Sequence, residues 1–188
     1  IRHFLISIYG VLFAALIAIP LGFFVARRKK LSRITISIAN VMQTIPSLAM
    51  LAILMFAIGT GPNTVVFAVF LYAILPILKN TVSGINSVTP ELIDAATGMG
   101  MTKKQLMTKV ELPLAISIIM GGIRNALVLA IGVTAVGTFI GAGGLGDIIT
   151  RGITVANGSP IIIAGAIPTA LMAVLADLVL GTIENKLT

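Results

Sequence analysis

Long apolar runs alternate with short polar connections along this chain. Five runs, at 4–26, 34–58, 64–88, 114–140 and 160–183, are long enough to cross a ~30 Å hydrocarbon layer as helices rising ~1.5 Å per residue. Pro20 lies inside the first run, where a membrane helix tolerates a kink. One long polar segment interrupts the pattern, residues 89–113, reading TPELIDAATGMGMTKKQLMTKVELP. Thr89 is placed to cap a helix, with Pro90 at its first position and Glu91 and Asp94 in the first turn, where the helix dipole favours negative charge. Gly98 and Gly100 break that helix, Thr102 caps a second, basic helix over 103–110, and Pro113 turns the chain into the fourth run. An ordinary loop between spans needs neither two helix starts nor the small residues Ala95, Ala96, Gly98 and Gly100 clustered between them. Both features suit a surface that another protein approaches closely. The pattern predicts an all-α membrane protein, a single domain over 1–188, with five spans and the polar segment between the third and fourth.

Composition fixes the solvent. With 57% hydrophobic and only 10% charged residues in 188, the chain carries more apolar surface than a soluble domain of this size can hide, so lipid must cover it. There is no cysteine, hence no disulfide and no thiolate metal site. The net charge of +7 would raise nucleic acid as a partner in a soluble protein. Here the basic residues sit in the connections between spans, which speaks for a membrane and against nucleic acid. Arg27, Arg28, Lys29, Lys30, Arg33, Lys103, Lys104, Lys109 and Lys186 fall on one side, and only Arg2 and Arg151 on the other. By the positive-inside rule the first group is cytoplasmic, which predicts a multi-pass protein of the cell membrane with its N-terminus outside and C-terminus inside. The chain opens at Ile1, so the native N-terminus is expected to be missing. The first run is too long for a signal-peptide core and lacks a small-residue cleavage site.

Polar residues inside the runs are costly against lipid and should face the bundle or a wet path. In the second run Asn40, Gln43, Thr44 and Ser47 recur at spacings of one helix face, and Pro46 among them frees the carbonyl of Met42. Helix–helix hydrogen bonding and lining of a pathway both account for them. In the third run Tyr72, Pro76, Lys79, Asn80, Ser83 and Ser87 follow roughly one face. Lys79 lies about nine residues, or ~13 Å, from the cytoplasmic end, and either snorkels or joins a buried pair. Arg124 and Asn125 lie well inside the fourth run, where Gly121, Gly122, Gly132 and Gly137 allow close packing, and Gly137 and Gly141 fit a small-residue motif. Asp177, ~9 Å from the end of the fifth run, is expected to meet Lys79 or Arg124. Asp147 and Arg151 are spaced to pair across one helical turn.

Gly141 to Gly146 reads GxGxxG, yet it follows an apolar span with no strand–helix–strand context and no acidic residue about 20 positions on. It predicts a tight, closely packed turn. No GxxxxGK[ST] phosphate loop, metal cluster or nucleophile–base pair occurs, and the single His3 sits at the outer edge. As an isolated chain this is a non-enzyme that binds no cofactor.

Asp94-Ala95-Ala96, three residues, Gly100, nine residues, then Val110, one residue and Leu112-Pro113 resemble the EAA signature of ABC importer permeases, EAA-x3-G-x9-I-x-LP. Asp94 stands where Glu is usual and Val110 where Ile is usual. The resemblance covers essentially the whole chain and implies a type I importer permease. In that family the segment is a cytoplasmic coupling helix docked in a groove of the ATPase, which would give Glu91, Asp94, Ala95, Ala96, Gly100, Leu112 and Pro113 that role here. It also implies two ATP-binding subunits carrying ATP and Mg, a second permease subunit of the same or a different kind, and an external solute-binding protein. The stretch QTIPSLAML, residues 43–51, resembles permeases for glycine betaine, carnitine and choline. A quaternary ammonium group is best held by an aromatic cage, and this chain has no Trp. Tight recognition is therefore expected in the binding protein. The alternatives are an ABC permease for another small solute such as an amino acid, and an ion-coupled carrier or channel with Lys79, Arg124 and Asp177 as its coupling charges.

Overall fold

The computed structural model describes residues 1–187, and those residues fold as helices and short connections, without strands. The helices are α1 (Arg2–Ala26), α2 (Lys29–Thr44), α3 (Ser47–Ile58), α4 (Pro62–Asn86), α5 (Pro90–Gly98), α6 (Lys103–Leu106), α7 (Leu112–Val136), α8 (Leu145–Thr154) and α9 (Ser159–Leu187). Four continuous stretches are long and apolar enough to cross a membrane, and the bent pair α2–α3 makes a fifth if it is counted as one span.

The core is α1, α4 and α7, packed through small residues so that backbones approach closely. A Cβ on Gly10 would lie 2.3 Å from Val69, and one on Gly22 would lie 2.5 Å from Thr81. Gly122 on α7 and Gly137 just past its end do the same toward α4, against Asn80 and Val65. These contacts fix directions: α1 and α4 run parallel, and α7 runs antiparallel to both. The expectation of close packing at the glycines of the fourth run is corrected in part. Among the described residues nothing lies within 4 Å of the Cβ positions of Gly121, Gly132 and Gly141, so no helix of this chain packs closely on these three.

Polar contacts mark the two ends of this core. At one end His3, Ser7 and Thr134 are buried, with His3 Nε2 3.0 Å from Ile131 O and Ser7 Oγ 2.9 Å from Thr134 Oγ1. His3 thus lies in the first turn of α1 with its side chain buried. At the other end Arg27 grips Glu111 through Nε at 3.1 Å and Nη2 at 2.5 Å.

The second apolar run differs from the expectation. It is two helices bent by 95° at Ile45–Pro46, both extended, so Ser47 falls on α3 and does not share a face with Asn40, Gln43 and Thr44. Proline has no N–H to continue α2 and biases the residue before it toward extended backbone. The pair still carries the chain from the Arg27 end of the bundle to the opposite end, where Gly61 N–H donates to Ile140 O at 2.8 Å. The glycine-rich connection is a tight turn, as its composition predicts: Gly141, Gly143 and Gly144 all take positive φ, and His3 packs against Gly144.

Candidate functional site

The polar segment is built from two short helices. α5 begins after Thr89, whose side chain makes no capping bond, and Glu91 falls in its first turn with Asp94 later in the helix. It runs through Gly98 and ends at Gly100, where φ is +79°. Gly100 N–H donates to Thr97 O at 2.9 Å and Met101 N–H to Ala96 O at 3.2 Å, the paired closing bonds of a Schellman ending. That geometry asks for a left-handed residue at this position, which explains physically why a glycine stands there. Thr102 and Gln105 then form a complete capping box at the start of α6.

The expected helix over 103–110 is shorter. α6 stops at Leu106, and Met107–Glu111 form a π-helical turn that leads into α7, with Pro113 in its first turn. Glu91, Asp94, Ala95 and Gly100 are exposed, Ala96 is buried, and Leu112 and Pro113 sit at the base of α7. The segment thus projects an acidic and small-residue face, while its exit is tied to the end of α1 by the Arg27–Glu111 pair. Sequence reading missed Glu111. It occupies an unspecified slot between Val110 and Leu112, and nothing local links it to a partner 84 positions away.

The candidate interior residues divide into three groups. Gln43, Lys79, Asn80 and Ser83, joined by Asn125, line an open groove of about 460 Å³ between α2, α4 and α7, walled by Leu75, Pro76 and Leu129. Beside it, as the second group, Tyr72 is buried and holds the α2–α3 bend. Pro76 removes the N–H that Tyr72 O would accept in α4, and Gln43 Nε2 donates to that carbonyl at 2.8 Å instead. The Tyr72 hydroxyl in turn donates to Ile45 O, which the break has freed. Beyond the Met42 carbonyl expected from Pro46, the bend thus frees that of Ile45, which meets Tyr72. Asn40 and Thr44 stay exposed on α2, and Ser47 is half-buried at the start of α3.

Arg124 and Asp177 form the third group. Arg124 on α7 takes both oxygens of Asp177 on α9, each at 2.9 Å, so Asp177 meets Arg124 and not Lys79. The same guanidinium donates to Glu184 at 2.6 Å, and Ser117 Oγ donates to Glu184 at 3.3 Å. Glu184 was overlooked because it sits near the charged end of the last run, where a solvated role looks sufficient. The expected Asp147–Arg151 pair does not form; Asp147 accepts from the Thr138 hydroxyl.

Residues 18–188 match the family described as binding-protein-dependent transport system inner membrane component. The carnitine transport permease protein OpuCD of Listeria monocytogenes is 62% identical over 186 residues, which is 99% of this chain and 83% of that protein. The glycine betaine/carnitine/choline transport system permease protein OpuCD of Bacillus subtilis (strain 168) is 59% identical over 187 residues, covering 100% and 82%. The choline transport system permease protein OpuBD of the same organism is 55% identical over 187 residues, covering 100% and 83%. Among solved structures, the MetNI methionine ABC transporter in an inward facing conformation matches with a TM-score of 0.89 at 21% identity, over 100% of this chain and 93% of that one. An amino acid ABC transporter crystallised with histidines matches with a TM-score of 0.72 at 20% identity, over 98% and 90%. At these identities the structural likeness is one of fold.

Proposed function

The chain belongs to the family of inner membrane components of binding-protein-dependent transport systems, and on that premise we propose that it is the transmembrane permease subunit of an ATP-driven importer for a small osmoprotectant, a quaternary ammonium compound such as glycine betaine, carnitine or choline. The relatives named for carnitine and choline transport support the solute class. ATP and Mg are held by separate cytoplasmic ATPase subunits, and solute is delivered by an external binding protein. A second permease subunit completes the pathway, because one bundle leaves its polar groove open on one side.

In this reading α2–α3 counts as one span of five, the N-terminus is outside, and the Arg27 end of the bundle is cytoplasmic. That end carries the basic connection 27–33, the polar segment and Lys186. The observation that carries the proposal is the projecting face of α5, with Glu91, Asp94 and Ala95 exposed. Closure of the ATPases on ATP would push α5, and the π turn would pass that movement to α7. From α7 it reaches α4 through Gly122 and α9 through Arg124. The result is alternating access to the path between the two permeases.

The test is copurification of the ATPase subunit together with ATP-dependent uptake in proteoliposomes. Gly100→Val forces a branched residue into a left-handed position at a cost of ~1–2 kcal/mol in the Schellman ending. Gly100→Val and Asp94→Ala are expected to weaken ATPase copurification and reduce uptake to background, while the bundle still purifies. Uptake that survives ATP depletion and collapses with the ion gradient would overturn the reading in favour of a carrier.

A further inference from the structure

Two cations lie inside the spans, and their surroundings differ. Arg124 is bracketed by two carboxylates. Lys79, about seven residues and ~10 Å from the end of α4, has no hydrogen bond or ion pair among the described residues. The disposition of the acids explains this. Glu91 and Asp94 stand on α5, Asp147 accepts from Thr138, Glu111 holds Arg27, and Asp177 and Glu184 hold Arg124. Those are all six acidic residues of the chain, and none lines the groove.

The side chains of Ser83 and Asn125 face the same groove and, among the described residues, make no hydrogen bond. Asn80 Nδ2 is committed to Pro76 O at 2.8 Å. Lys79, Ser83 and Asn125 are exposed on this open groove, so an ammonium group with neutral donors on the same wall and no acid in the groove is placed to take an anionic partner that enters it.

We propose that this groove is a carboxylate subsite on the solute path, in which the Lys79 ammonium takes the carboxylate of a zwitterionic solute and Ser83 and Asn125 donate beside it. The proposal rests on the osmoprotectant-importer reading and sharpens it. Glycine betaine and carnitine carry a carboxylate, and choline carries only a hydroxyl. Lys79 attracts the acid end and repels the trimethylammonium end, so a zwitterion enters oriented with its cationic end on the apolar wall. Choline meets only the repulsion.

The experiment uses the assembled complex of permease, ATPase and binding protein in proteoliposomes, with labelled glycine betaine, carnitine, choline and proline. Lys79→Met is expected to lower the ratio of carnitine to choline uptake by about tenfold or more, the size of a lost charge-assisted hydrogen bond, and Lys79→Arg to restore most of it. Asn125→Leu should move the ratio the same way by less, which keeps the test alive if Lys79→Met fails to assemble. An unchanged ratio, or equal loss for every solute in a complex of normal size, would assign the amine to packing or to lipid headgroup phosphates and overturn the proposal. Preference of the wild-type complex for choline over both carboxylated solutes would overturn it as well. Should the wild type import proline and no quaternary ammonium compound, the osmoprotectant reading fails. The subsite is then tested separately, by whether Lys79→Met erases discrimination between proline and its carboxamide.

Discussion

α4 and α9 are equally apolar, with mean hydropathy 2.0 and 2.1, yet 56% of the α4 window is buried in the bundle against 11% for α9. α4 lies between α1 and α7 on glycine contacts along its length. α9 stands off α1, leaving a crevice of about 830 Å³ lined by apolar side chains that include Leu171 and Leu175, and turns Val174 and Leu178 outward. Lipid is as apolar as leucine, so hydropathy places a helix in the membrane without saying what it touches. Shape and charge decide that. α4 is held by close backbone approach, whereas on its C-terminal half α9 is held to α7 by the Arg124–Asp177–Glu184 cluster, with Gly181 making room for the guanidinium. The first attachment runs the length of the helix, whereas α9 packs closely only on α8, through Gly152 and Gly165, and reaches the core through the polar clamp, an arrangement suited to an outer pair that shifts while the core stays intact.

That contrast is broken most severely at Arg124. Arg124→Leu leaves two carboxylates facing each other inside a span without a counter-charge, and it is expected to give the largest loss, seen as failure to recover folded chain in mild detergent or as the deepest drop in melting temperature among these variants. Asp177→Asn should do less, since Glu184 still answers the guanidinium. Asp177→Asn losing as much as Arg124→Leu would mean that Glu184 contributes nothing to the clamp. Next comes the rigid side of the comparison. Gly122→Leu drives a Cβ to 2.6 Å from Asn80 Cβ and 2.9 Å from Pro76 O, and overpacking of this kind costs ~1–3 kcal/mol. Its neighbour Gly121 meets nothing within 4 Å, so Gly121→Leu should lie within about 0.5 kcal/mol of the parent chain by thermal unfolding in detergent. Similar losses at both positions would refute the packing arrangement of α4 against α7.

The legible parts of the fold were those written locally. Apolar run length gave the long helices, and spacing over 94–113 gave the segment with its two helix starts. Gly100 and Thr102 were readable because a left-handed ending and a capping box are properties of a few consecutive residues. The 95° bend was not, even though Pro46 was visible. A proline inside an apolar run fits a mild kink equally well, and the choice between kink and corner depends on Tyr72 and Gln43 meeting across 29 positions. Glu111 and Glu184 were missed for the same reason: each acquires its meaning from an arginine on a different helix. Asp177 was half-legible, since a carboxylate inside a span demands a cation, but the sequence offered two.

A modest and local effect is expected where two peptide-bond defects answer each other. The carbonyl of Tyr72 is orphaned by Pro76, the carbonyl of Ile45 by the break, and each is met from the opposite helix. Tyr72→Phe deletes only the hydroxyl. The ring still fills its buried position and Gln43 still reaches the backbone carbonyl of residue 72. Ile45 is half-buried, so water can replace part of the lost bond, and the cost should fall near ~1 kcal/mol, the usual net worth of one hydrogen bond. Because the bond holds a corner and not the core, the change should be local: faster amide exchange and easier proteolysis at 43–48, with α1, α4 and α7 protected as before. If exchange at 43–48 is unaltered, the corner is imposed by Pro46 alone and Tyr72 merely packs against it. If protection falls across α4 as well, the bent pair belongs to the rigid body, and the division between a fixed core and tethered outer helices has been drawn in the wrong place.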